Sequence, residues 1–324
     1  MKTPRLYHFL IDMNLLRGIP VFLLFLLVSG CLTPSLRNEL AWEYYNIGNA
    51  YYSLNKYSQA IELYQKALTY NPDLAEGNFN LARVYFALGR YEEGLKLLEQ
   101  LRSTRGENVL LLQTIAYGLA KQGRREEAIQ YYLEVLNQSK GNTHALYNIG
   151  ILYWELDRIE DAYPFLYQAY ELAPEDIDIL RTLGKVELRR NNLREALQYF
   201  TDYLKEKPDD DVIGLEAYTL LVEDRRYAEA LALIESLLEK KKENPSLWFE
   251  KAYLLLTKAE EKEEGLTALE TALELGFKDK QKLRVLFAET PPLYIEELKP
   301  LILRKGVYPS EELEEFFREL WGEQ

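Results

Sequence analysis

The chain has 324 residues, 52 of them acidic and 39 basic, for a formal net charge of −13 at pH 7. So acidic a balance argues against nucleic-acid binding, which needs a basic surface to neutralise phosphates. One cysteine, Cys31, excludes an intramolecular disulfide, and two histidines, His8 and His144, fall short of the clusters that zinc sites and Ser/Cys–His catalysis require.

The first element in chain order is a leader. Residues 21–28 form an uninterrupted apolar run, preceded by Arg17 and followed by small residues. A membrane-spanning helix needs about 20 apolar residues, so this run is too short to cross and has the length of a secretory signal core. Met13 offers a second in-frame start. The run ends in Val28-Ser29-Gly30-Cys31, which resembles the lipobox of bacterial lipoproteins. That resemblance implies a signal peptide over 1–30, a lipid on the Cys31 sulfur, and a short tether over 31–40. Lipid chains, at about 0.8 kcal/mol per buried methylene, would be the membrane anchor. Leu32 stands where an aspartate holds some lipoproteins in the inner membrane, which points to the periplasmic face of the outer membrane. The ordinary alternative is an uncleaved leader carrying an incidental thiol.

A period of 34 residues then runs without insertion or deletion over 41–244, with repeats starting at Ala41, Ala75, Val109, Thr143, Ile177 and Asp211. A seventh starts at Pro245 and slips by one residue near 262–265. Position 8 of the repeat is small in Gly48, Ala82, Ala116, Gly150, Gly184 and Ala252, and position 20 in Ala60, Gly94, Ala128, Ala162, Ala196 and Ala230. Large apolar residues recur at spacings of three, four and seven, as in Tyr44, Ile47 and Tyr51, which fits helical stripes rather than strand alternation. Pro72, Pro174 and Pro208 separate one repeat from the next, because proline cannot continue a helix. The pattern predicts two antiparallel helices per repeat, each repeat burying its apolar face on its neighbours. Three departures fall in the fifth and sixth repeats: Glu187 at an apolar position, Gly214 where a large residue is expected, and Tyr218 where a small one is.

The run from Tyr44 to Tyr51, with Ala60-Ile61-Glu62-Leu63-Tyr64 and Asn71-Pro72, resembles the tetratricopeptide repeat (TPR). The resemblance covers most of the chain and implies an all-α, right-handed superhelix of about seven helix-turn-helix repeats. Their bounds are 41–74, 75–108, 109–142, 143–176, 177–210, 211–244 and 245–278. Residues 279–324 read as C-terminal capping helices over 280–288, 293–303 and 310–321. The apolar stripe Leu313, Phe316, Phe317, Leu320 and Trp321 caps the solenoid, or alternatively docks a partner.

In TPR proteins the first helix of each repeat lines a concave groove through positions 2, 5, 6, 9, 12 and 13. Carried onto this chain, those positions hold aromatic residues: Trp42, Tyr45, Tyr52, Phe79, Phe86, Tyr117, Tyr147, Trp154, Phe249 and Tyr253. Tyrosine and tryptophan give large, rigid contact areas with a polar edge; the alternative is that they flank the core. Position 6 carries Asn46, Asn80 and Asn148, similar to the asparagine rows that hold an extended peptide backbone, and Asn49 and Arg83 stand at position 9. Arg181, Lys185 and Arg189, four residues apart, form a basic stripe that either meets an acidic partner or is neutralised by Asp178, Glu187 or Glu216. The carboxylate clamp of chaperone-binding TPR domains is not reproduced, since Tyr45, Leu110 and Thr114 stand where it needs basic residues.

No GxxxxGK[ST] or strand-linked GxGxxG run is present, so no cofactor is expected. His144 falls on a solvent-facing position, and acidic pairs such as Glu92-Glu93 read as solvated helix surface. The expected function is non-enzymatic: a membrane-tethered scaffold that holds a protein or extended peptide during assembly of a bacterial envelope complex. The rival is a transport-accessory lipoprotein with a small molecule in the aromatic-lined solenoid.

Overall fold

The computed structural model describes residues 33–259, 261–306 and 315. The leader, Cys31 and all but one residue of the helix expected over 310–321 lie outside these. The described residues form sixteen α-helices and no strand. They fall into two compact units, one ending at Lys140 and the other beginning at Gly141.

The N-terminal unit holds three hairpins: α1 (Pro34–Ser53) with α2 (Tyr57–Tyr70), α3 (Ala75–Ala87) with α4 (Tyr91–Arg105), and α5 (Val109–Lys121) with α6 (Arg125–Gln138). Helix α1 starts earlier than the repeat pattern suggests. Thr33 accepts from the Leu36 N–H at 3.3 Å and Pro34 occupies the first helical turn, where its missing N–H is not needed. Most of the tether expected over 31–40 is therefore helix.

The C-terminal unit holds α7 (Thr143–Glu155) with α8 (Ile159–Leu172), α9 (Ile177–Arg189) with α10 (Leu193–Glu206), and α11 (Asp211–Glu223) with α12 (Tyr227–Lys240). There follow α13 (Pro245–Leu254) with α14 (Lys262–Glu274), then α15 (Lys280–Glu289) and α16 (Pro292–Arg304). The one-residue slip of the seventh repeat has a local cause. After α13 the chain widens into a π-turn over Leu255–Ala259, which absorbs one extra residue without breaking the hairpin.

Two register positions punctuate the repeats. From the second repeat on, the last residue of a repeat caps the next first helix, whereas Leu74 at the end of the first makes no side-chain cap: Asn108 accepts from Leu111 N (2.9 Å), Asn142 from Ala145 N (2.9 Å), Asp176 from Ile179 N (3.2 Å), Asp210 from Ile213 N (3.1 Å) and Asn244 from Leu247 N (3.4 Å). Each such cap is worth about 1 kcal/mol. At position 15 the chain turns in the left-handed region, with φ of 57° at Asn55 and Asp157, 61° at Asn191 and 60° at Arg225. Asparagine and aspartate tolerate that conformation; arginine is strained in it.

Close helix approach accounts for the small residues. A Cβ on Gly184 would sit 2.3 Å from Phe200 Cε1, and one on Gly48 would sit 2.8 Å from Tyr64 Cε1. Phe200 and Tyr64 are fully buried, and burying one large apolar side chain stabilises by about 1.5–3 kcal/mol.

The departures in the fifth and sixth repeats are compensated individually. Leu237 fills the space beside Gly214, its Cδ1 2.5 Å from where a Cβ would be. Tyr218 is buried and donates its hydroxyl to the Glu250 carbonyl at 3.0 Å. Glu187, 2% exposed, is held by Arg190 at 3.1 Å and by the Asn192 amide at 2.6 Å. Even so, hollows of about 580 and 200 Å³ remain around α10 in these two repeats.

Candidate functional site

In the N-terminal unit, side chains link the first helices into one face. Asn80 on α3 donates from its amide to Tyr45 Oη at 3.1 Å and to Asn49 Oδ1 at 2.8 Å, both on α1. Tyr64 from α2 donates to the same Asn49 oxygen at 2.7 Å. Burial first, then neighbouring Tyr45, pushes the Tyr64 hydroxyl up to about 12, so it stays a donor. Asn49 and Asn80 thus hold the face together, and the Asn80 amide hydrogens are committed within the protein. Asn46 is exposed and Phe79 half-buried on the same side.

Next to this network Arg83 stacks on the Tyr52 ring, 5.1 Å from its centroid, and Phe86 meets Tyr117 at 6.3 Å. A hollow of about 350 Å³ opens between α1, α3 and α5, with Tyr52, Arg83, Phe86, Gln113, Thr114 and Tyr117 around it. Tyr117 is 46% exposed. The Thr114 hydroxyl donates to its own helix at Leu110 O, 2.7 Å.

In the C-terminal unit the named positions are engaged differently. Tyr147 on α7 lies 3.5 Å from the Thr182 hydroxyl on α9, and burial raises its pKa. Asn148 donates to His144 O on its own helix at 2.7 Å. Arg181 pairs with Asp178 at 3.0 Å; Arg189 pairs with Asp157 at 2.7 Å and lies 5.6 Å from the Trp154 ring centroid. Lys185 acts electrostatically on Glu216, whose Oε2 is enclosed with no hydrogen-bond partner among the described residues. Burial raises the Glu216 pKa, with Lys185 working against it and Asp210 with it. Tyr253 donates to Glu289 at 2.7 Å.

Phe249 takes the second alternative given for these aromatics and joins the core. It is 2% exposed and stacks on Phe277 at 4.2 Å, because Leu283, Leu286 and Phe287 of α15 close over that side of the last repeat. The face also gains Lys121 and Gln113, which were not singled out from sequence. Both stand at register positions, 13 and 5, that the groove rule names, but neither is aromatic or asparagine.

Family models described as tetratricopeptide repeat match residues 80–107, 114–177, 154–217 and 215–279, and one described as TPR repeat matches 48–89. The chain carries tetratricopeptide repeats. Among curated proteins, the TPR chain is 26% identical over 110 residues to the BBSome complex member BBS4 of Xenopus tropicalis, a stretch that is 34% of this chain and 20% of that protein. The chain therefore spans about a fifth of that relative's length. A solved tetratricopeptide repeat protein from Parabacteroides merdae is 20% identical, with a TM-score of 0.52, over 77% of this chain and 98% of that one. A structure of Pseudomonas aeruginosa pilF is 18% identical, with a TM-score of 0.54, over 63% and 92%. These structures share the fold. Helix-hairpin repeats of this kind serve as protein–protein interaction scaffolds.

Proposed function

We propose that the chain is a lipid-anchored TPR scaffold of a bacterial envelope, holding a partner protein or extended peptide on the first-helix face of its N-terminal unit. The observation that carries the docking site is the continuity of that face. Side chains of α1, α3 and α5 surround one open hollow, with Tyr52, Arg83 and Tyr117 presented together. The support for the anchor is sequence: the apolar run over 21–28 and Cys31 directly after Ser29-Gly30. The early start of α1 at Pro34 would then keep the first repeat close to the lipid.

A photo-crosslinking residue placed at Tyr117 in the native host tests the docking face, with the same residue at exposed Gln65 on α2 as control. One discrete adduct from position 117 and none from 65 is expected; the reverse pattern contradicts the reading. The anchor is tested by labelled-palmitate incorporation, which Cys31→Ser should abolish.

A further inference from the structure

Several arginines of the N-terminal unit are engaged within it, Arg105 by donating to the Asp73 carbonyl at 2.8 Å. Arg90, Arg102 and Arg124 each hold a carboxylate, from Glu93, Glu107 and Glu127 respectively. Arg83 holds none among the described residues. Its guanidinium stacks on Tyr52 and reaches only the Asn80 Oδ1, at a long 3.4 Å. Among the described residues no acidic side chain lines the hollow beside it. Lys121, its ammonium 5.6 Å from the Tyr117 ring centroid, adds a second positive charge near the exposed ring. A chain of net charge −13 thus keeps a positive, aromatic-walled recess on this face.

We propose that this recess receives an acidic side chain, aspartate or glutamate, of an extended partner segment, with an adjoining apolar side chain against Tyr117. The proposal rests on the docking-face reading above and names the chemistry that the face selects. A guanidinium gives a carboxylate two parallel charge-assisted hydrogen bonds. Stacking on Tyr52 pre-positions that fork, so less side-chain freedom is lost on binding. A lysine or arginine of the partner is repelled by Arg83 and Lys121, and a neutral amide leaves the arginine charge uncompensated. The recess is open rather than enclosed, which suits a side chain projecting from a segment that continues past it.

The test selects a displayed random-peptide library on the whole chain carrying its native Arg83, and in parallel on Arg83→Gln and Arg83→Glu. With the native chain, selected peptides should carry Asp or Glu beside an apolar residue. Replacing that acid by its amide should weaken binding about tenfold on the native chain and much less on Arg83→Gln, as expected for a charged pair. Arg83→Glu should turn selection towards basic peptides. Because Arg83 makes one long hydrogen bond and a surface stack, unfolding of all three chains by circular dichroism should coincide. If one variant melts early, Arg83→Lys replaces it, and should retain acid preference with reduced affinity. Peptides without acid preference, or indifferent to Arg83 but lost in Tyr117→Ala, overturn the acidic-side-chain inference and leave the docking face standing. Peptides that also survive Tyr117→Ala overturn both.

Discussion

The two units put basic residues on the same first-helix face, Arg83 at position 9 of its repeat and Arg181 at position 5, and treat them oppositely. Arg181 of the C-terminal unit has Asp178 three residues before it and pairs with it at 3.0 Å. Arg83 of the N-terminal unit has Asn80 three residues before it, whose Nδ2 is committed to Tyr45 and Asn49 and whose Oδ1 takes only a long 3.4 Å hydrogen bond from Arg83. Arg181, with Asp178 beside it and Asp210 acting on it from beyond its helix, is engaged within the protein, whereas Arg83 meets only an amide oxygen there. Register alone names the face; the carboxylates around each arginine set its available charge.

The largest expected effect comes from breaking a pair that the C-terminal unit has buried. Arg190→Met leaves Glu187 enclosed without its cation, and should cost about 3 kcal/mol in urea unfolding, most of it recovered in the double variant Glu187→Leu/Arg190→Met. If Arg83→Gln costs as much, the contrast between a structural and an available arginine fails.

A smaller effect is expected at Glu216. Its carboxyl is held above the ordinary value of 4.5 by burial, so its contribution to stability is fully present below that value and lost as pH rises through the raised one. Glu216→Gln should therefore stabilise at neutral pH, by on the order of 1 kcal/mol, with the gain fading as pH falls through the raised value and gone below 4.5. A gain independent of pH contradicts the assignment.

The smallest stability change sharpens the contrast most. Asp178→Asn should cost no more than about 0.5 kcal/mol, since the pair is exposed and lies in the first helical turn. It should give Arg181 the availability of Arg83, seen as new acidic-peptide binding that Arg181→Gln removes.

Most of the fold was legible because its determinants recur. The small residues at positions 8 and 20 are written repeatedly, and the slip after Ala252 emerges as the π-turn at Leu255–Ala259. The Asn or Asp that ends the second to sixth repeats and caps the helix after it is equally visible in the period. Phe249 falls to the core alternative because α15, which buries it, lies outside the period. Residue types at Asn49 and Asn80 suggested peptide contacts; their hydrogen bonds to one another, Tyr45 and Tyr64 depend on helices brought together in space. The availability of Arg83 was likewise hidden, since it depends on the Tyr52 ring from another repeat and on there being no carboxylate around the recess among the described residues.

Hydrogen–deuterium exchange of the whole chain, with and without a library-selected acidic peptide, tests the docking claim most directly. Slowed exchange concentrated in α1, α3 and α5, with α2, α4 and α6 unchanged, is the predicted result. Protection confined to the second helices, or to the C-terminal unit, would contradict it.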